Sequence, residues 1–150
     1  MEIIEYDPKY RQAFIDFNSR WITDNFGHLE DGDVYSFEHI EDDIARGAMI
    51  YFAVEDGEAL AACMAKPMEG TTWEICKMGS HPEKPHKGCG RAVFEASVNW
   101  AASHGAKRLF IISNSRLKPA LRIYEEFGFK EIKLDDYGYD RGDIAFEKLL

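Results

Sequence analysis

Tyr10, Phe14, Phe17 and Trp21 recur at spacings of four, three and four, which puts them on one face of a helix whose first turn holds Pro8. Before them "EIIEY" alternates briefly and is stopped by Asp7-Pro8, the pattern of a short strand. A polar, glycine-containing loop follows the helix. Ser36 is then the predicted N-cap of a second short helix that carries Phe37, Ile40 and Ile44 and ends at Gly47. Beyond it the period shortens. Residues 49–55 and 58–66 are apolar runs joined at Asp56-Gly57, the two-residue signal of a tight hairpin whose turn needs positive backbone angles. "TTWEICKMGS" alternates as a further strand in series, with Glu74, Cys76 and Met78 expected on one face and Trp73, Ile75 and Lys77 on the other.

From Gly88 to His104 the period is helical again, with Ala92, Val93, Ala96 and Trp100 as the inward stripe and Gly105 as the C-terminal cap. "KRLFIIS" is a continuous apolar and β-branched run, which predicts a strand buried on both faces and paired in parallel through a helical crossover. A helix from Pro119 to Glu126, ended by Gly128, and strands in "FKEIKLD" and "GDIAFEKLL" complete the order β-α-α-β-β-β-α-β-α-β-β. The expected fold class is α+β: three antiparallel strands, then a β-α-β crossover into one mixed sheet with helices on both faces.

A chain of 150 residues is expected to form one domain, residues 1–150, and to bury roughly 68–70% of its unfolded surface without staples. No apolar run is long enough to span a bilayer, and the first residues lack the layout of a secretion signal, so the expectation is a cytoplasmic protein without a membrane partner. Cys63, Cys76 and Cys89 have no C-x-x-C spacing, and the five histidines have no ligand-like grouping, so neither a disulfide framework nor a metal is expected. The net charge of −9 comes without a basic stripe, which argues against nucleic acid. Its acids concentrate in "DNFGHLEDGDVYSFEHIEDDIARG", so a substrate would be a cation such as an amine, drawn in by the field. The alternative is that these acids only keep the protein soluble.

The stretch "HPEKPHKGCGRAVFEASVNW", His81 to Trp100, sets two glycines and several basic side chains at a helix entrance. Such an entrance suits anions, because its first N–H groups are unpaired and the helix dipole is positive there. Gly88 and Gly90 would let the backbone approach a ligand, with Lys87 and Arg91 adding charge. A dinucleotide fingerprint would need a third glycine where Val93 stands, and a nucleotide-hydrolase loop would need Lys-Ser/Thr after the second glycine; both readings fail.

In full context the chain resembles the GNAT superfamily of acyl-CoA-dependent N-acyltransferases, over nearly all of its length. "PHKGCG", Pro85 to Gly90, falls in the register of that family's Q/R-x-x-G-x-G/A loop, and "IYEEFGF", Ile123 to Phe129, matches its later "LYEKxGF" signature. The resemblance implies acetyl-CoA as acyl donor without a metal, and backbone amides of His86, Lys87, Gly88, Cys89, Gly90 and Arg91 holding the CoA pyrophosphate. The departure is Pro85 in place of Gln or Arg, which removes one N–H.

Moving an acetyl group from a thioester to an amine needs a proton acceptor, a donor to the developing oxyanion and a proton for the leaving thiolate. Glu74, fourteen residues before Gly88, stands where the histone-acetyltransferase-like branch carries its base. Tyr124 falls on the tyrosine that serves the family as general acid. By the same resemblance a backbone N–H near Met78 would meet the carbonyl oxygen, while Ser80, and Asn114 at the end of the 107–113 strand, would meet the pantetheine arm. The acceptor pocket would be built from "RWITDNFGHLEDGD" and "DDYGYDRGD", whose aromatics and acids suit a small-molecule or peptide amine, cationic in character. The sequence leaves the assembly open between a single chain and a homodimer. The competing expectation is a catalytically weak acyl-CoA-binding sensor or interaction module of the same fold.

Overall fold

A computed structural model describes all 150 residues. Seven strands form one sheet in the order β1-β2-β3-β4-β5-β7-β6. Strands β1 (Glu2–Glu5), β2 (Met49–Glu55), β3 (Glu58–Pro67) and β4 (Thr72–Ser80) are antiparallel neighbours, β5 (Arg108–Ser113) runs parallel to β4, and β7 (Ile144–Leu149) is inserted antiparallel between β5 and β6 (Lys130–Ile132). The β2–β3 turn has φ 51° at Asp56 and 77° at Gly57, the left-handed pair that the sequence requires there.

One face of the sheet carries α1 (Arg11–Phe26), α2 (Asp31–Glu38) and α3 (Ile40–Ala45), packed through Phe14, Phe17, Phe37 and Ile40 onto Ile50, Phe52 and Met64. The other carries α4 (Cys89–Ser103) and α5 (Lys118–Glu126), where Val93, Phe94, Val98 and Tyr124 meet Trp73, Ile75, Leu109 and Ile111. Asp7 opens the first helical turn by accepting the Lys9 N–H at 2.9 Å, and Gly27, at φ 87°, closes α1. No helix is long and apolar enough to cross a membrane.

Three expectations need correction. Ser36 is not an N-cap: it lies inside α2, whose cap is Glu30, reciprocated by Asp33 in a capping box, and the backbone breaks at His39 before α3 begins. The strand buried on both faces is β3, where alanines and Cys63 leave room for helices above and below, whereas β5 alternates, burying Leu109, Ile111 and Ser113 and leaving Arg108, Phe110 and Ile112 half-exposed. The faces of β4 also exchange partway. Ladder pairing jumps from Met64↔Cys76 to Ala62↔Gly79, and Lys77 takes φ 51°. This bulge turns Lys77 toward Phe37 and returns Met78 to the face where Ile75 packs.

Candidate active site

Strands β4 and β5 pair only at Thr72↔Arg108, Trp73↔Leu109 and Glu74↔Phe110. Beyond Glu74 they part. The opening between them is the floor of a cleft of about 1090 Å³ whose walls come from β4, the segment before α4, α5, α1 and the β6–β7 loop. Gly79 is what lets α1 close one wall, since a Cβ there would come within 3.0 Å of the Phe17 Cβ and 3.2 Å of its backbone.

At one end lies the loop before α4. Gly88 has φ 80° and stands at the N-cap position without a side-chain cap. The Cys89 N–H donates to the His86 carbonyl at 2.9 Å and the Ala92 N–H to the Gly88 carbonyl at 3.1 Å, while the N–H groups of Gly88, Gly90 and Arg91 have no acceptor in the chain. A Cβ at Gly88 would meet nothing within 4 Å, so the cradle is open toward the cleft. Free N–H groups at the start of a fifteen-residue helix fit a diphosphate. His86, Lys87, Gly88, Gly90 and Arg91 all line the cleft, as do Met78 and Ser80. Cys89 departs from its expected place: its thiol is buried against Met1 and its N–H is already engaged. The Arg91 guanidinium lies over the Phe127 ring at 4.9 Å and bridges to Glu126, which leaves its N–H as the part facing a ligand. Pro85 is not among the lining residues, so the donor that proline lacks is missing from a position off the wall.

Glu74 stands at the fork itself, half-buried, with burial pushing its carboxyl above the ordinary range and Lys66 and Lys77 pulling it back. Tyr124 reaches the same cleft from α5, with its ring held between Phe94 and Phe146, each centroid at 5.4 Å. Burial raises its phenol far above the usual value, partly offset by the Ser113 hydroxyl, so it keeps its proton at any physiological pH. Asn114 also lines the cleft, but its side chain donates to the Arg141 carbonyl at 2.6 Å and accepts the Arg116 N–H at 2.8 Å; it ties the β5 end to the β6–β7 loop.

The other end of the cleft holds a network that sequence reasoning missed. Asp33, fully buried, accepts two bonds from the Arg141 guanidinium at 2.6 and 2.7 Å and one from the Lys77 ammonium at 2.5 Å, while Glu30 approaches Arg141 at 3.3 Å. These cations hold the Asp33 carboxyl down at about 2 against the outward push of burial. The Tyr139 ring covers both cations, 4.4 Å from Arg141 and 5.1 Å from Lys77. Glu30 and Asp33 are therefore bound within the protein, and Asp24 pairs with Arg20 at 3.0 Å. Of the acids in the front third that were expected to draw in a cation, these are engaged, and the unpaired carboxylate in the cleft is Glu74. The only signal for the network was the acid-rich "EDGD" and the isolated arginine of "YDRGD", which nothing local connects.

The family model for the acetyltransferase (GNAT) family matches residues 12–129. The chain belongs to that family. No curated protein sequence matches it, but solved structures do. A GNAT-family acetyltransferase of Staphylococcus aureus Mu50 superposes with a TM-score of 0.85 at 17% identity, covering 99% of this chain and 98% of that one. The yncA protein of Salmonella typhimurium, solved with its cofactor acetyl-CoA, gives 0.80 at 16% identity over 99% and 93% of the two chains. An aminoglycoside 6'-N-acetyltransferase solved with coenzyme A gives 0.74 at 18%, over 99% and 97%. What this GNAT chain shares with these structures is the overall fold, over nearly its whole length.

Proposed function

We propose that this GNAT protein, acting as one domain over residues 1–150, moves an acetyl group from acetyl-CoA to a primary amine by direct attack within the cleft. The observation that carries the reading is the parting of β4 and β5 beyond Glu74. It opens a cleft with an unpaired carboxylate at its fork, a protonated tyrosine on its far wall and free N–H groups at one end. The acetyl-CoA seen in yncA and the coenzyme A in the aminoglycoside enzyme support the donor.

Bound acetyl-CoA supplies the activated thioester. The loop N–H groups of Gly88, Gly90 and Arg91 hold its diphosphate, and Ser80 and Met78 flank the path inward. Glu74 takes a proton from the incoming ammonium, directly or through one water; a carboxyl raised by burial is better matched to that task than an ordinary one. The bulge at Lys77 and Met78 breaks the ladder and frees the local backbone to meet the carbonyl oxygen as its charge develops. Tyr124 donates a hydrogen bond to the departing sulfur. Because burial makes its phenol a weaker acid, it stabilises thiolate character with a retained proton; as the C–N bond forms and the C–S bond breaks, the nitrogen sheds its second proton to water, and the departing thiolate takes up a proton from solvent.

The acceptor enters past Trp21, Tyr35 and Tyr139, aromatic faces that line the cleft on the α1 side and suit a cationic amine. The test is free-thiol release from acetyl-CoA with spermidine, tyramine, lysine amide and kanamycin, with the acetamide identified by mass spectrometry. Amine-dependent release supports the enzyme. If acetyl-CoA raises the melting temperature but no amine releases thiol, the protein is the acyl-CoA sensor instead.

A further inference from the structure

Glu74 is framed by two lysines, each held from behind by a buried aspartate. Lys66 is its register partner, directly across the β3–β4 ladder, and Lys77 lies three positions along β4 at the bulge. Both lysines line the cleft with Glu74; neither aspartate does. Asp33 of α2 holds Lys77 at 2.5 Å, and Asp43 of α3 stands 3.4 Å from the Lys66 ammonium. The Asp43 carboxylate is only 9% exposed, and its Oδ2, the atom facing Lys66, has no hydrogen-bond partner. This second pair is thus held by charge without a saturating hydrogen bond, which leaves the Lys66 donors available toward the cleft.

We infer that Lys66 and Lys77, tethered by Asp43 and Asp33, are positioning residues whose charges, set beside Glu74 by the β3–β4 ladder and its bulge, keep it an ionised carboxylate in the cleft. The inference rests on the proposed role of Glu74 as proton acceptor and supplies what that role lacks. A half-buried carboxylate without a hydrogen-bond partner of its own would otherwise drift toward its neutral form, which cannot accept a proton. Burial does push Glu74 upward, and Lys66 and then Lys77 are the groups that oppose it. Both tethers come from the short α2–α3 segment, so one helical unit fixes both cations. The other charged or titratable groups on this part of the cleft are Cys76 on β4, Arg20 and Asp24 on α1, paired with each other, Tyr35 on α2, Tyr124 on α5, and Tyr139 and Arg141 on the β6–β7 loop; β5 contributes Phe110 opposite Glu74. None of these replaces an ammonium directly across the ladder.

The experiment follows the Glu74 carboxyl by ¹³C NMR titration of the full-length protein, with Glu74→Gln assigning its resonance. Lys66→Met alone would leave Asp43 buried and unpaired and so cost stability for reasons unrelated to Glu74; the double variant Lys66→Met/Asp43→Asn removes that orphan charge. In the double variant the Glu74 midpoint should rise by about one pH unit, and in Lys66→Arg it should stay near the native value. The acidic limb of turnover with an accepted amine should move the same way. A midpoint unmoved in the double variant overturns the inference while leaving the base reading intact. Conversely, an acidic limb that survives in Glu74→Gln removes the base reading itself, whatever the titration shows.

Discussion

Replacing Asp33 with asparagine should destabilise the protein far more than a one-atom change suggests. The native carboxylate is fully buried and accepts three charge-assisted bonds, two from Arg141 and one from Lys77. Asparagine keeps one acceptor oxygen and turns an NH₂ toward two cations that are themselves 11% and 6% exposed, with only Glu30 left to balance Arg141. Breaking a buried pair in this way costs roughly 3–5 kcal/mol, against about 5–15 kcal/mol for a whole domain. For a chain of this size that is a fall in Tm of roughly 6–20 °C. The pH dependence gives an independent figure. A carboxyl held at about 2 instead of 3.8 contributes roughly 2 kcal/mol at neutral pH. The folded value is the lower one, so this stability is complete above about pH 4 and lost as the pH falls toward 2, with about half gone at pH 3. It is smaller than the cost of asparagine because protonation adds no misplaced NH₂. Urea denaturation of both proteins at pH 7, 5 and 3 measures the two together: the gap should be several kcal/mol at pH 7 and shrink by about 1 kcal/mol at pH 3. A gap below 1 kcal/mol at pH 7, or one that does not narrow with acid, would refute the account of this network.

Two further outcomes follow from the cleft. Glu74→Gln should lower turnover by about 10²-fold and abolish the acidic limb of its pH profile, while the rise in melting temperature caused by acetyl-CoA stays native. At the other end, His81 Nδ1 accepts the N–H groups of Glu83 at 3.1 Å and Lys84 at 3.0 Å, with its ring against Phe17. His81→Ala should therefore loosen the diphosphate loop and weaken acetyl-CoA binding about 3–10-fold at little cost in kcat, and His81→Asn, which restores an acceptor, should recover most of it; calorimetric titration reads both.

Local rules made much of this legible. Asp56-Gly57 named the hairpin because only a left-handed pair of residues closes it, and the four–three–four spacing of Tyr10, Phe14, Phe17 and Trp21 named α1. The helix entrance at Gly88 and the placing of Glu74 and Tyr124 on one cleft were also readable, the last two through the resemblance. What escaped has a common cause. Alternation along β4 assumes an unbroken ladder, yet Lys77 adopts φ 51°, held by an aspartate 44 residues away in sequence. Ser36 looked like a cap because a cap is judged from its own neighbours, whereas Glu30 also accepts N–H groups from Asp140 and Arg141 across the molecule. Glu30 and Asp33 of "EDGD" read as part of a surface field for the same reason: their partners sit on β4 and in the β6–β7 loop.

The central claim is that Tyr124 serves the chemical step from the wall of this cleft, and turnover of Tyr124→Phe, measured beside its affinity for acetyl-CoA, tests it most directly. The phenylalanine keeps the ring between Phe94 and Phe146 and removes only the hydroxyl. In the variant kcat should be lower by about 10²-fold with acetyl-CoA affinity unchanged; native turnover would contradict that role.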